Sequence, residues 1–256
     1  MVHPQFTEPE AALRALGYRP TAVTLQPYDG FRLRPGAVPP GADLVVIGNP
    51  TNPTSRLHPR DDIRALLRPG RVVVVDEAFM DLTPGEEESL AGEAAVTPGL
   101  VVVRSLTKTF GVAGLRAGYL LAAPGQVREL AAHQPHWSVN TLALVAATAC
   151  LGPAGVRHRA RVAERLTGNT GHLAAVLRGA GLVPVPDPAA PFVLARHPAA
   201  ARLRERLRER GYAVRRGDTF PGLGPDWVRV AARDPEAVDG LARVMTQELD
   251  RLGSGW

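Results

Sequence analysis

Three short, almost uniformly apolar runs constrain the fold of this chain most strongly. They cover residues 44–47, 71–75 and 100–103, and Val is the commonest residue in each. Strands without polar alternation are typical of parallel sheets that are covered on both faces. Longer segments rich in Ala, Leu and Arg alternate with the runs and predict helices at 8–16, 59–67 and 125–132. This alternation of strands and helices predicts an α/β layer.

The pattern changes beyond residue 152. A long helical segment extends to residue 180, and the residues that follow predict two strands within 182–194, a helix at 199–210, strands near 213–215 and 228–230, and a helix at 235–252. We therefore predict a large domain at residues 1–152 and a smaller α+β domain at residues 153–256.

Composition narrows the class of protein. Hydrophobic residues make up 45% and charged residues 21%, which is the balance of an ordinary globular protein. The densest run of Arg, at 202–210, alternates with Glu and Leu at helical spacing, so it predicts a solvated amphipathic helix rather than a nucleic-acid surface. The sequence shows no signal-peptide core and no apolar stretch long enough to span a bilayer. We expect a cytoplasmic protein with neither nucleic acid nor membrane as a partner.

Lysine is used once. Lys108 is the single lysine against 29 arginines, and it follows the apolar run at 100–103. A guanidinium can replace an ammonium wherever only charge is needed, but it does not deprotonate and cannot act as an amine nucleophile. Lys108 is therefore present either by chance or because an amine nucleophile is needed there, and the residues around it decide between these two explanations.

Polar motifs follow each of the three apolar runs. Gly-Asn-Pro-Thr-Asn-Pro-Thr-Ser occupies 48–55, Asp-Glu-Ala-Phe-Met-Asp occupies 76–81, and Ser-Leu-Thr-Lys at 105–108 precedes Gly-Leu-Arg-Ala-Gly-Tyr at 114–119. Ligands of α/β sheets bind outside the carboxyl ends of the strands. Each motif alone is explained by a turn or a helix cap. Together they supply the amine, the carboxylate and the donors that pyridoxal 5'-phosphate requires.

These motifs resemble those of the fold-type I, class I/II aminotransferases over nearly the whole chain. Within that family the sequence at 76–81, 104–108 and 137–140 is most similar to that of the threonine-phosphate decarboxylases of cobalamin biosynthesis, and the histidinol-phosphate aminotransferases are near relatives. The resemblance implies pyridoxal 5'-phosphate as cofactor, a three-layer α/β/α large domain with a mainly parallel sheet, a homodimer, and a small phosphorylated amino-acid substrate. It implies no metal site.

The resemblance also implies roles for individual residues. Lys108 is expected to form the Schiff base with the cofactor and then to act as general base and acid, while Asp76 keeps the pyridine nitrogen protonated. The other expected cofactor contacts are Asn52 to the ring oxygen, Ser105 and Arg116 to the phosphate, Phe6 stacked on the ring, and Phe79 beside it. Expected substrate contacts are Arg229, Arg215 and Asn52. An isolated Phe such as Phe6 at a strand end is more often a packing residue, and a surface role is the alternative for each arginine.

Two residues depart from the family pattern. Phe79 stands where most of these aminotransferases have Tyr, which leaves Asn52 as the donor to the ring oxygen and favours the decarboxylase branch. Ser55 stands where the family has Gly, at a position that favours a permissive backbone. The family also has a Gly-rich loop, upstream of these motifs, that holds the cofactor phosphate. We expect a chain that lacks this N-terminal segment, and a gene model that starts too late is favoured over a separate partner chain or a true loss.

The expected reaction is decarboxylation of L-threonine O-3-phosphate to (R)-1-aminopropan-2-yl phosphate. The nearest alternative is a histidinol-phosphate aminotransferase that uses 2-oxoglutarate. An alternative of another class is a truncated paralogue without catalytic activity. Decarboxylation and transamination differ in which bond at the substrate carbon is held perpendicular to the cofactor ring, and residue identity reveals that poorly.

Overall fold

The computed structural model describes residues 1–253, which form ten strands and eight helices. The strands are Val2–His3 (β1), Val23–Thr24 (β2), Leu44–Gly48 (β3), Val72–Asp76 (β4), Leu100–Ser105 (β5), Gly118–Ala122 (β6), Val183–Pro184 (β7), Phe192–Arg196 (β8), Arg215–Arg216 (β9) and Trp227–Ala231 (β10). The helices are Glu8–Ala15 (α1), Arg60–Arg64 (α2), Leu106–Thr109 (α3), Pro124–Ala132 (α4), Thr141–Leu151 (α5), Pro153–Gly179 (α6), Ala200–Glu209 (α7) and Pro235–Gly253 (α8).

The chain divides into two compact units. The first contains residues 1–2, 33–50 and 57–164, and the second contains residues 3–32, 51–56 and the chain from residue 165 onward. This division falls within α6, between residues 164 and 165, whereas the predicted boundary between residues 152 and 153 lies where α6 begins. The segment at 51–56 groups with the second unit since Ser55 and Ala190 are joined by hydrogen bonds through the serine hydroxyl.

The first unit is built on a four-stranded sheet in the order β3-β4-β5-β6. The first three strands are parallel, as predicted, and their Val, Leu and Ile side chains are largely buried, as expected for a sheet covered on both faces. Strand β6 pairs antiparallel with β5 and was not among the predicted strands. Of its five residues only Ala122 is buried, so it carries little of the apolar signal that revealed the others.

The second unit contains an antiparallel sheet in the order β7-β8-β10-β9. Its core joins side chains of β8 and β10 to α7, α8 and the C-terminal part of α6. Leu173, Val193, Leu203 and Met245 are completely buried there. This arrangement confirms the predicted α+β character of the C-terminal region.

Arg71 anchors the turn before β4 in the first unit. Its buried guanidinium donates hydrogen bonds to the backbone carbonyls of Pro39, Pro40, Ala42 and Leu66. Buried carbonyls that lose their donors are costly. We expect Arg71→Met to lower the free energy of unfolding, measured with urea, by about 2–4 kcal/mol. The exposed neighbour Arg68 is the matched control, and equal losses for Arg71→Met and Arg68→Met would contradict this role.

Helix α5 is apolar around its whole circumference but lies largely at the surface. Leu142, Leu144, Val145 and Leu151 are each at least half exposed, and Ala143 is the buried residue of the helix. Asn140 caps its N-terminus by accepting a hydrogen bond from the backbone N–H of Ala143. The helix has only 11 residues, and none of the helices within residues 1–253 has both the length and the apolar character needed to cross a membrane.

Candidate active site

The carboxyl ends of three parallel strands meet at one edge of the first unit's sheet. Gly48 at the end of β3 pairs with Asp76 at the end of β4, and Asp76 in turn pairs with Val103 of β5. Strand β5 ends at Ser105, from which helix α3 carries Lys108. The structure therefore brings the predicted carboxylate and the predicted amine to neighbouring strand ends.

Asp76 and Lys108 interact electrostatically. Asp76 is partly exposed by surface area, but protein atoms surround its carboxylate closely enough that burial raises its pKa. A hydrogen bond from the backbone N–H of Ala78 and the positive charge of Lys108 oppose this shift without cancelling it. The carboxylate is thus incompletely compensated and suits a further cationic N–H partner.

The raised pKa of Asp76 has a measurable consequence for stability. Because the folded state holds the proton more tightly than the unfolded state, the contribution of Asp76 to stability falls as pH rises from 3.8, its ordinary pKa, through the raised folded pKa. We expect Asp76→Asn to stabilise the cofactor-free chain near neutral pH and to have no such effect at pH values below 3.8. Urea unfolding across pH measures this, with the exposed Asp43→Asn as control. An Asp76→Asn chain that is less stable than wild type at neutral pH would contradict it.

Lys108 is exposed, and its Nζ lies 5.8 Å from the centroid of the Phe79 ring. An ammonium at this distance from an aromatic face is favourably placed for a cation–π interaction. Phe79 therefore flanks the amine that the sequence analysis selected. The Phe79 ring carries no hydroxyl group, so it offers no hydrogen-bond donor beside this amine.

Ser105 caps the helix that carries Lys108. Its Oγ accepts a hydrogen bond from the backbone N–H of Thr107 at 3.3 Å and lies 2.7 Å from the Thr107 hydroxyl oxygen. Two hydroxyl groups, each able to donate a hydrogen bond to an anion, thus lie side by side at the start of this four-residue helix. Thr107 was not among the residues predicted from the sequence, although it lies two residues after Ser105 and directly before Lys108.

Arg116 lies on the chain segment that pairs with the end of β5. Ser105 pairs with Gly118, and the N–H of Leu106 donates to the carbonyl of Ala117. Arg116 itself has a left-handed backbone with φ of 54° and an exposed side chain that donates to the Ala113 carbonyl. The two residues predicted to bind phosphate, Ser105 and Arg116, are therefore carried by adjoining backbone segments.

The second unit gathers the predicted substrate-binding residues. Arg229 of β10 donates a hydrogen bond to the side-chain oxygen of Asn52, and its register partner on β9 is Arg215. Since the carbonyl oxygen of Asn52 accepts this bond, its amide group remains a donor. The guanidinium of Arg229 lies 4.8 Å from the Phe192 ring centroid, and that of Arg215 lies 5.5 Å from the Phe220 ring centroid.

The Arg229 guanidinium is short of negative charge. Burial lowers its pKa, and the nearby charge of Arg215 lowers it further. Its Nε is buried and makes no hydrogen bond within the described residues. A partly buried guanidinium of this kind, beside the second guanidinium of Arg215, suits a carboxylate or a phosphate.

Two further residues from the sequence analysis also lie in the second unit. Phe6 follows β1 and its side chain is 44% exposed, so it is a surface ring rather than a core residue. Ser55 has φ of 60°, which is the left-handed conformation that favours glycine. Its buried hydroxyl accepts from the N–H of Ala190 at 2.7 Å, a contact that glycine could not make and that helps to stabilise this conformation.

Comparison with known proteins identifies the family. The family model "Aminotransferase class I and II" matches residues 23–245. The chain belongs to the class I and II aminotransferases. The fold of this chain agrees with that of a solved histidinol-phosphate aminotransferase from Sinorhizobium meliloti in complex with pyridoxal-5'-phosphate. The two structures match with a TM-score of 0.84 at 23% sequence identity, and the match covers 98% of this chain and 70% of the other. The predicted fold class is confirmed.

Two curated aminotransferase-family relatives show the range of similarity. A histidinol-phosphate aminotransferase of Mycobacterium tuberculosis is 48% identical over 233 residues, which cover 91% of this chain. A threonine-phosphate decarboxylase of a Sinorhizobium species is 38% identical over 210 residues, which cover 78% of this chain. The matched regions span 63% and 60% of the lengths of these two relatives.

Proposed function

We propose that this chain binds pyridoxal 5'-phosphate through the amine of Lys108. The observation that carries the proposal is the electrostatic interaction of Lys108 with Asp76, a carboxylate that burial leaves incompletely compensated, near the ends of two neighbouring strands. A protonated pyridine nitrogen is a cationic N–H donor that would compensate such a carboxylate. When bound, the cofactor supplies an electron sink for the pair released from a bond at the substrate carbon.

The other candidate residues would hold and orient the cofactor. Ser105, Thr107 and Arg116 would hold the cofactor phosphate, and the Asn52 amide would donate to the ring oxygen. Phe79 and Phe6 offer aromatic surfaces to the cofactor ring. The Lys108 amine would bind the cofactor aldehyde and would carry the proton to or from the substrate carbon.

For the substrate we propose an amino acid that carries a phosphate. Arg229 binds the carboxylate and Arg215 binds the phosphate, since each guanidinium presents a planar fork that matches either group. The lowered pKa of Arg229, caused by burial and by Arg215, supports an anionic ligand at this place. A neutral substrate would leave the two like charges uncompensated.

The proposed reaction is decarboxylation of L-threonine O-3-phosphate to (R)-1-aminopropan-2-yl phosphate. Phe79 supports this choice, because it removes the hydroxyl that most aminotransferases of the family place beside the ring oxygen. The 48% identity to a histidinol-phosphate aminotransferase favours the second candidate, transamination of histidinol phosphate with 2-oxoglutarate. Both candidate substrates carry a phosphate for Arg215, whereas the carboxylate for Arg229 belongs to L-threonine O-3-phosphate in the first reaction and to 2-oxoglutarate in the second.

Two assays separate the candidates. Release of carbon dioxide from L-threonine O-3-phosphate without any keto acid supports the decarboxylase. Glutamate formation that requires both histidinol phosphate and 2-oxoglutarate supports the aminotransferase. A chain that gives no visible absorption band with saturating cofactor, and neither product, is a paralogue without catalytic activity.

We also propose that the chain acts as a homodimer. The exposed apolar side chains of α5 support an association surface, because patches of this kind are uncommon on monomers. Sedimentation equilibrium at several concentrations tests this. A single species with the mass of one chain at every concentration contradicts it.

A further inference from the structure

A cluster of buried charges lies in the first unit around the side chain of Arg104. Its Nη2 is 2.9 Å from a carboxylate oxygen of Glu77 and 2.7 Å from one of Glu86, and its Nη1 is 2.5 Å from one of Asp81. Arg104, Glu77 and Asp81 each expose no more than 5% of their side chains. We call Arg104, Glu77, Asp81 and Glu86 the carboxylate clamp.

The carboxylate clamp is also tied to its surroundings by hydrogen bonds. Glu77 accepts from the Ser89 hydroxyl and from the N–H of Leu90, both at 2.8 Å. Asp81 accepts from the hydroxyl of Thr109 at 3.4 Å. A buried charge network is favourable only when its members are hydrogen-bonded in this way, and it then holds one geometry.

The members of the clamp alternate along the chain with the proposed site residues. Glu77 directly follows Asp76, and Arg104 directly precedes Ser105. Successive side chains of a strand point to opposite faces, so Arg104 and Ser105 of β5 lie on opposite faces of the sheet. Thr109, which donates to the clamp, directly follows Lys108.

The charges of the clamp keep Arg104 protonated. Burial by itself lowers the pKa of Arg104, but Glu77, Glu86 and Asp81 outweigh it and the pKa is raised. Arg159 of α6 adds a second cation, with its Nη1 3.2 Å from Glu86. The planar fork of Arg104 therefore stays charged and joins the end of β4 to the end of β5.

We propose that Glu77 and Arg104 are positioning residues that fix the distance and orientation of Lys108 relative to Asp76. The proposal rests on the proposed function of Lys108 and Asp76. Neither Glu77 nor Arg104 is expected to touch the cofactor. Each acts through the strand end that carries its neighbour.

The single lysine gives a test that does not need the cofactor. With ¹³C-labelled lysine, the chain has one lysine signal, and the Phe79 ring 5.8 Å from Nζ shifts the resonances of the lysine methylene groups near it. We expect Glu77→Gln to move these resonances toward their values in the urea-unfolded chain, whereas Arg104→Lys adds a second labelled lysine and is kept for the cofactor measurement. Phe79→Leu calibrates the part of the shift that the ring causes. Glu93→Gln breaks the ion pairs with Arg60 and Arg64 in the same unit, away from the site, and is the matched control.

A second measurement uses the bound cofactor. We expect Glu77→Gln and Arg104→Lys to keep the visible absorption band and to reduce its circular dichroism. Cofactor binding should weaken about tenfold, which corresponds to the loss of the one charge-assisted hydrogen bond proposed between Asp76 and the cofactor. Glu93→Gln should change neither. Variants with a lower melting temperature but with wild-type lysine resonances and wild-type visible dichroism would overturn the proposal, because the clamp would then be purely structural. Should Arg104→Lys fail to fold, Glu77→Gln decides. A wild-type chain without an absorption band contradicts the proposed function instead, while the lysine resonances still test the clamp.

Discussion

Lys108→Arg and Lys108→Ala are expected to remove the visible absorption band of the cofactor-loaded chain and to abolish turnover. Arginine keeps the positive charge beside Asp76 and Phe79, but its guanidinium cannot exchange with the substrate amine or take a proton from carbon. Loss of the general-base role alone should slow the reaction by about 10²–10⁴-fold. Absorbance spectroscopy and the product assays on the same preparations measure both effects.

The two variants control for each other. Lys108→Ala removes charge and amine together, whereas Lys108→Arg removes the amine and keeps the charge. Equal inactivity of the two assigns the function to the amine. An active Lys108→Arg chain would show that only the charge matters, and the covalent role of Lys108 would be wrong.

The second large effect is expected at the paired arginines of the second unit. Arg229→Met should lower kcat/KM for a phosphorylated amino acid by about 10²–10⁴-fold, the loss of two charge-assisted hydrogen bonds to the carboxylate. Arg215→Met should act selectively and remove the preference for L-threonine O-3-phosphate over L-threonine. Steady-state kinetics with both substrates measure these changes.

Arg216 provides the control for this pair. It neighbours Arg215 on β9, is exposed, and forms an ion pair with Asp218. Arg216→Met should leave kcat/KM unchanged for both substrates. If Arg215→Met weakens both substrates equally, Arg215 does not read the phosphate.

The parts of the fold that the sequence predicted are those with an unambiguous apolar pattern. Strands β3, β4 and β5 could be found because both faces of each are covered, so almost every side chain is apolar. Strand β6 could not, because most of its side chains are partly exposed. The predicted helix at 59–67 is shorter in the structure, where α2 ends at Arg64.

Some features of the candidate site could likewise be predicted from the sequence, and others could not. Asp76 and Lys108 follow strands that pair in register, so their proximity could be predicted from the order of the motifs. The contact between Asn52 and Arg229 joins residues 177 positions apart and depends on how the segment at 51–56 groups with the second unit. The carboxylate clamp was missed because Glu77 and Arg104, read as single residues, look like the solvated charges of any surface.

Borohydride reduction of the cofactor-saturated chain, followed by peptide mapping by mass spectrometry, tests the central role of Lys108 most directly. Reduction makes the bond between an amine and the cofactor aldehyde permanent, and the chain offers just one lysine besides its terminal amine. We expect the phosphopyridoxyl mass on the peptide that contains Lys108. Recovery of that mass only on the peptide beginning at Met1, or on no peptide, would contradict the assignment.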